Sequence, residues 1–336
     1  VKRELSHSEV SAALDCQLSH AFRYSGAVTG GETLKARASI PRLDEGTAWG
    51  VAVAAFHATG DLSAAQLALV EELDKQREKQ QQRGVFDSDV WMKMNLHLTA
   101  ILADYVRHCS PLNLTRPEQE LRVPIPSRLG RRVSSKYVFV AYLDGVGNRG
   151  GAGELDGIIE FKLRAQLQSY DLVCKSRQLR MYAWAWREAT GEPVDRIFVR
   201  ERLNAVPSEI RFNQNGSLSK QQTCRPATYV DACMDLDDKP DEDVLARLRA
   251  KEWERTHEIM LTEAELHEAG QQLVSAAHLI HQLDTGQLFP IRNPSPARCP
   301  GCSFKDVCVD HDPALIAALY DRTVPKRFRE ELPHAA

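Results

Sequence analysis

The pattern of apolar and polar positions is most informative between Tyr137 and Tyr182. The run YVFVAYLD is rich in β-branched and aromatic residues and ends at Asp144. A Gly- and Asn-rich turn, GNRGGAG, follows, and a second apolar run, LDGIIEFKL, carries Glu160 and Lys162. This predicts two strands joined as a hairpin by a long loop. RQLRMYAWAWREA then predicts a helix with Gln178 and Tyr182 four residues apart on one face.

The flanking segments are mostly helical in pattern. Near the N-terminus Ser8 is placed to cap a short helix with Val10, Leu14 and Leu18 apolar, Cys16 within it, and Phe22 and Tyr24 after it. A second helix is expected from near Gly46, a polar one over 62–84, and an amphipathic one over 88–109, where His97 reads as a packed histidine. The Pro and Leu spacing between Pro111 and Pro126 predicts an irregular connection. Residues 194–203 read as a strand, and the polar stretch from Phe212 as a loop or small hairpin carrying Lys220 and Arg225. The acidic stretch 231–243 reads as a solvated linker, followed by helices near 241–260 and 262–284. The expected division is 1–110, 111–230 and 231–336, with no internal repeat.

With 336 residues the chain can bury a substantial core, and its formal charge of −3 gives no global basic signature. A nucleic-acid surface therefore has to be local. No apolar run approaches the roughly 20 residues of a membrane span, and none has the form of a signal peptide. Eight Cys in a chain this long do not suggest a secreted disulfide scaffold, so the cytoplasm is the expected compartment.

Two groups of residues carry chemistry. Residues two apart on a strand share a face, so Glu160 and Lys162 point one way and Phe161 the other, into the core. A carboxylate from the first strand and a carboxylate plus ammonium from the second make a hard-oxygen site for Mg²⁺ or Mn²⁺. In isolation, E-x-K reads first as a solvated strand face with a salt bridge. Near the C-terminus Cys299, Cys302 and Cys308 form C-x2-C-x5-C among Pro and Gly, a metal-binding spacing. Three thiolates call for a fourth ligand: His311 nearby, giving a structural Zn²⁺ site, or Cys16 from the other end of the chain. Cys109, Cys174, Cys224 and Cys233 have no ligand spacing. Arg128, Arg131, Arg132 and Lys136 lead into the first active-site strand and are candidate phosphate contacts, as are Arg177 on the helix and Lys220.

Asp144, the hairpin, Glu160-x-Lys162 and then Gln178-x-x-x-Tyr182 together resemble the PD-(D/E)xK nuclease superfamily, more narrowly its RecB-type branch. That resemblance implies an α/β fold of restriction-endonuclease type, a mixed central sheet flanked by helices. It implies that Asp144, Glu160 and the Phe161 backbone carbonyl hold Mg²⁺ or Mn²⁺, that Lys162 assists hydrolysis, and that Gln178 and Tyr182 position the strand. The implied substrate is DNA and the implied activity an exonuclease on single strands or ends, in recombination, repair or phage DNA processing, beside recombination or replication proteins. The Cys-bearing first helix with its aromatic pair and the C-terminal spacing also resemble members that hold a [4Fe–4S] cluster. This implies Cys16, Cys299, Cys302 and Cys308 as its ligands and the cluster as a staple between the chain's ends. Two points depart from the pattern or leave it open. The family's G-x-x-x-H helix has Gly46 but Gly50 where the His belongs, with His57 two turns further, roughly 10 Å away, and Glu45 adjacent. This leaves the number of metals open and admits a second reading, a weak or inactive DNA-binding or assembly subunit. Leu-Asp-Gly also recurs at Asp156. Asp144 is preferred because it ends an apolar strand and leaves room for the hairpin.

Overall fold

The computed structural model describes residues 2–37, 41–127, 133–148, 157–194 and 196–325. A short strand β1 (Arg3–Ser6) runs directly into helix α1 (His7–Asp15). Ser6 rather than Ser8 caps that helix, its hydroxyl accepting the Glu9 amide at 3.3 Å. The helix stops at Cys16, whose backbone is extended (φ −158°, ψ 105°), and resumes as α2 (Gln17–His20) and one π-helical turn over Ala21–Ser25. Strand β2 (Thr33–Ala36) leads to α3 (Pro41–Thr59), α4 (Leu62–Gln82) and α5 (Ser88–His108). Asp61 and Asp87 cap the last two, each accepting two first-turn amides.

Next come β3 (Asn113–Pro126), β4 (Val133–Asn148), β5 (Gly157–Arg164), α6 (Tyr170–Cys174), α7 (Arg177–Thr190) and β6 (Arg196–Leu203). The chain continues with α8 (Pro226–Asp235), α9 (Glu242–Ala250), β7 (Glu254–Met260), α10 (Glu263–Asp284), α11 (Pro313–Leu319) and β8 (Tyr320–Thr323). Three further local expectations change. Residues 113–126 form a strand, not an irregular connection. Its prolines are tolerated because β3 lies along one edge of β4 and needs no second ladder, and its register shifts at Leu114/Arg116 and Pro124/Pro126. The acidic stretch begins inside α8, where Cys233 is buried. Residues 254–260 alternate as a strand on the outer edge of β6 instead of extending a helix.

The mixed central sheet flanked by helices expected from the sequence is present. Its order is β1-β4-β5-β6-β7, with β3 on the far side of β4, and its pairings are both parallel and antiparallel. Alternate strand residues feed two cores. Ile158, Ile197 and Val199 join Leu5, Phe139, Trp184 and Leu273 under α1, α7 and α10. Ile159, Phe161 and Phe198 join Trp49, Phe56, Leu98 and Tyr105 under α3, α4 and α5. A small third core holds the ends of the chain together: Leu18, Phe22 and Leu34 pack on Phe304, Val307 and Tyr320, and β2 pairs antiparallel with β8. Among the described residues, no helix is long and apolar enough to cross a membrane.

Candidate active site and thiol cavity

The sheet forks at Asp144. One edge of β4 pairs with β3, and its other edge is shared by two partners. β1 pairs with it only over Tyr137–Val140, and β5 only over Gly145–Gly147. β5 then diverges from β4 and follows β6, with Lys162 opposite Glu201. Asp144 fills the crotch of this fork. Its Oδ2 accepts the Phe161 amide at 2.7 Å, a bond that a continuing ladder would have taken. The fork thus brings Asp144 against the Glu160–Lys162 segment.

Glu160 and Lys162 share the face of β5 that looks toward α1 and α7, while Phe161 enters the opposite core and stacks on His57 at 4.9 Å. Glu160 is 1% exposed. Its Oε1 is ion-paired with Lys162 Nζ and accepts Gln178 Nε2 at 3.1 Å, and the same Nε2 lies 3.0 Å from Tyr182 Oη. Its Oε2 is buried without a hydrogen-bond partner among the described residues. Burial, and then the charge of Glu160, push the Asp144 carboxyl up to about 7, against the opposing influence of Lys162 and the Phe161 amide. Burial disfavours the charge on Lys162, but the Glu160 and Asp144 carboxylates outweigh it and raise its pKa. Burial and the Glu160 carboxylate likewise raise Tyr182, keeping it a neutral phenol. Asp144, whose ionisation the neighbouring Glu160 carboxylate opposes, and Glu160, with its unsatisfied buried oxygen, make a donor set short of a cation. This is the fit expected of a hard divalent ion.

Beside Lys162 opens a cavity of about 430 Å³. His7, Ser11 and Asp15 of α1 form one wall, and Arg164, Gln168, Arg177 and Gln178 others. His7 bonds Ser11 Oγ at 3.0 Å and meets Tyr182 edge-on at 6.3 Å. Burial, then Lys162 and Arg177, lower its pKa to about 4, so the imidazole is neutral. Glu201, fully buried, accepts Arg164 Nε at 2.9 Å and the Gln168 amide at 2.8 Å and so orders that rim. His7, Ser11, Asp15 and Glu201 were not found from the sequence. The one available signal was the acid set between two arginines at the end of the strand run IFVRERL.

The remaining sequence candidates are distributed as follows. His57 does not join the carboxylates. Its Nδ1 accepts the Leu112 amide at 2.9 Å and its Nε2 faces Tyr105 Oη at 2.8 Å, on the Phe161 side of β5. Glu45 accepts Asn204 Nδ2 at 2.9 Å, next to the Arg164 end of β5. Arg177 lines the cavity, Lys136 is exposed at the start of β4, and Lys220 is exposed and paired with Asp241 at 2.9 Å. Arg131, Arg132 and Asp156 lie outside the described residues.

A second cavity, of about 520 Å³, is lined by Cys16, Cys299, Cys302 and Cys308 together with Leu18, Phe22 and Phe304. Cys16 reaches it because the chain is extended between α1 and α2. The two ends are laced around it: the Leu18 amide donates to Ile291 O at 3.1 Å, Asn293 Nδ2 to Asp15 O at 2.8 Å, and Arg23 to Ser303 Oγ at 3.2 Å. The amides of Ser295 and Phe304 point at the sulfurs of Cys299 and Cys302, at 3.3 and 3.5 Å, as donors suited to thiolates. Burial, and behind it the charges of Cys16, Cys302 and Cys299, raise the Cys308 thiol against the pull of Arg292. His311 is not in the cavity wall. Its ring meets Phe22 edge-on at 5.4 Å, and its Nε2 is buried without a partner among the described residues. Among the described residues no group of three or more His, Cys, Asp and Glu is placed to hold a metal ion.

The family model described as the PD-(D/E)XK nuclease superfamily matches residues 4–309, a stretch that contains both the fork and the four thiols. No curated protein matches the chain.

Proposed function

The chain belongs to the PD-(D/E)XK nuclease superfamily, and we propose that it is a metal-dependent DNA exonuclease acting on single strands or strand ends at Asp144, Glu160 and Lys162. The observation that carries this reading is the fork, where a buried carboxylate pair leaves one oxygen of Glu160 unsatisfied. Asp144, Glu160 and the Phe161 carbonyl would hold Mg²⁺ or Mn²⁺, which when bound activates water and neutralises phosphate charge. The chain's own groups do the rest. Lys162 places an ammonium where negative charge grows on the phosphate oxygens. Gln178, anchored by Tyr182, keeps Oε1 of Glu160 engaged, so that Oε2 faces the fork. His7, Ser11 and Arg177 offer donors to the strand beside Lys162. A cavity of about 430 Å³ has the room of one small ligand rather than of a duplex, which favours a strand end. Such an enzyme belongs to recombination, repair or the processing of phage DNA, beside recombination or replication proteins.

The four thiols are assigned to a [4Fe–4S] cluster that staples the ends of the chain. Cys16 lines the cavity with Cys299, Cys302 and Cys308 whereas His311 does not, which favours four thiolates over a Cys₃His zinc site. Gly50 in place of a His, with His57 engaged elsewhere, favours a second reading, a DNA-binding subunit of low activity. End-labelled single- and double-stranded DNA, with each end blocked in turn, separates the two. Release of short products from free ends in Mg²⁺ or Mn²⁺, abolished by EDTA, is expected. DNA binding without cleavage in either metal selects the subunit.

A further inference from the structure

The two cavities share a wall. Ser11 and Asp15, one helical turn apart on α1, line both. Asp15 is tied to each side. Its Oδ1 accepts Arg177 Nη1 at 3.3 Å and lies 3.3 Å from Arg298 Nη1, and its carbonyl accepts Asn293 Nδ2 at 2.8 Å. Cys16 follows Asp15, Cys299 follows Arg298, and Gln178 follows Arg177. One carboxylate thus stands next to a first thiol, one ion pair from a second, and one ion pair from the side chain that holds Glu160. Helix α7 needs such an anchor. Its cap residue, Ser176, makes no side-chain cap bond, and its first turn has no acidic residue.

We propose that Asp15 is a positioning residue that couples the thiol cavity to α7. With the four thiols gathered on their cluster, Asp15 holds Arg177, and with it Gln178 against Glu160. When the cluster is lost, the Asp15–Cys16 turn relaxes and the first turn of α7 goes with it. The inference rests on the nuclease and cluster readings above. Ion pairs this exposed add little to stability. The effect is therefore one of placement, to which catalysis is far more sensitive than folding.

The test uses the full chain, purified anaerobically, as wild type, Asp15→Asn, Asp15→Glu and Cys299→Ser. Amide hydrogen exchange over 177–181 is measured with iron content, melting temperature, kcat and KM. Asp15→Asn is expected to keep its iron and melting temperature, to exchange faster over 177–181, and to lose about tenfold in kcat with a smaller change in KM. Asp15→Glu is expected to recover most of that loss. Measured relative to the exchange of β6, which reports any global destabilisation, Cys299→Ser should loosen 177–181 in the wild-type background but add nothing to Asp15→Asn. Unchanged exchange in Asp15→Asn, or equal loosening by Cys299→Ser with and without Asp15, overturns the coupling. A wild-type protein that neither cleaves DNA nor holds iron defeats the functional reading, and the exchange comparison still decides the coupling by itself.

Discussion

At the scale of single residues, the grouping of Glu160 with Lys162 and of Gln178 with Tyr182 was legible because each pair lies on one element. Glu160 and Lys162 share a strand face, and Gln178 and Tyr182 a helix face, so spacing alone brings them together. His7, Asp15 and Glu201 come from other elements, and only the fork and the α1 wall bring them near Lys162. Glu160→Gln and Lys162→Ala are each expected to lower kcat by about 10²–10³ or more, since each removes a charge that the proposed mechanism uses in the transition state. The melting temperature should change little by comparison, and near-wild-type turnover in either folded variant would remove the pair from the active site. His57 belongs to stability. Burial, then Arg200, lower its pKa from 6.5 to about 3. Because the unfolded chain takes up this proton first, the contribution is complete above about pH 6.5 and is lost as pH falls toward 3. His57→Gln should therefore flatten the decline of melting temperature with acid in that window, and an unchanged slope would show that His57 is not the titrating group.

At the scale of elements, the hairpin carrying Asp144, Glu160 and Lys162 and helix α7 were readable from their apolar periodicity, and the two longest strands that were missed, β3 and β7, are both edges. Among the described residues β3 has no partner beyond β4, so it can hold Pro117, Pro124 and Pro126. Among those residues β7 likewise has none beyond β6, so its outer face can carry charges, and ERTHEIM reads as the continuation of a helix. Packing between helices was not legible at all. Gly270 of α10 faces Trp184 of α7, and a Cβ there would stand 2.6 Å from the indole Nε1. Trp184 is 3% exposed and has no room to retreat. Helix propensity favours Gly270→Ala by about 1 kcal/mol, whereas overpacking costs about 1–3 kcal/mol. The expected result is a net loss of about 1 kcal/mol in a urea titration, with a shifted tryptophan spectrum. A stabilised variant would show that α7 and α10 can move apart without cost.

At the scale of the whole molecule, the decisive feature is that the chain's two ends are neighbours. Apolar patterns could not show this, because Leu18, Phe22 and Leu34 are ordinary local residues until they meet Phe304, Val307 and Tyr320. What pointed across the chain to Cys16 was the group of three C-terminal cysteines, for which His311 was the local alternative, together with the resemblance of the Cys-bearing first helix to cluster-holding nucleases. If one cluster joins the four, its ligation closes a loop spanning nearly the whole sequence, which removes much freedom from the unfolded chain. Loss of a single thiolate should then destabilise the entire protein and not just its tail. Anaerobically purified protein is expected to be brown, with the broad visible absorbance of thiolate-bound iron. Cys16→Ala and Cys299→Ala should both lose that colour, melt several degrees lower and become protease-sensitive at both ends. The two substitutions should behave alike although they lie at opposite ends of the sequence. A zinc site completed by His311 predicts the reverse: a colourless protein, indifferent to Cys16→Ala and destabilised by His311→Ala. Zinc in stoichiometric amount, together with an unchanged melting temperature in Cys16→Ala, would replace the staple with a local knuckle. The third core and the β2–β8 pairing would then be left to hold the ends together.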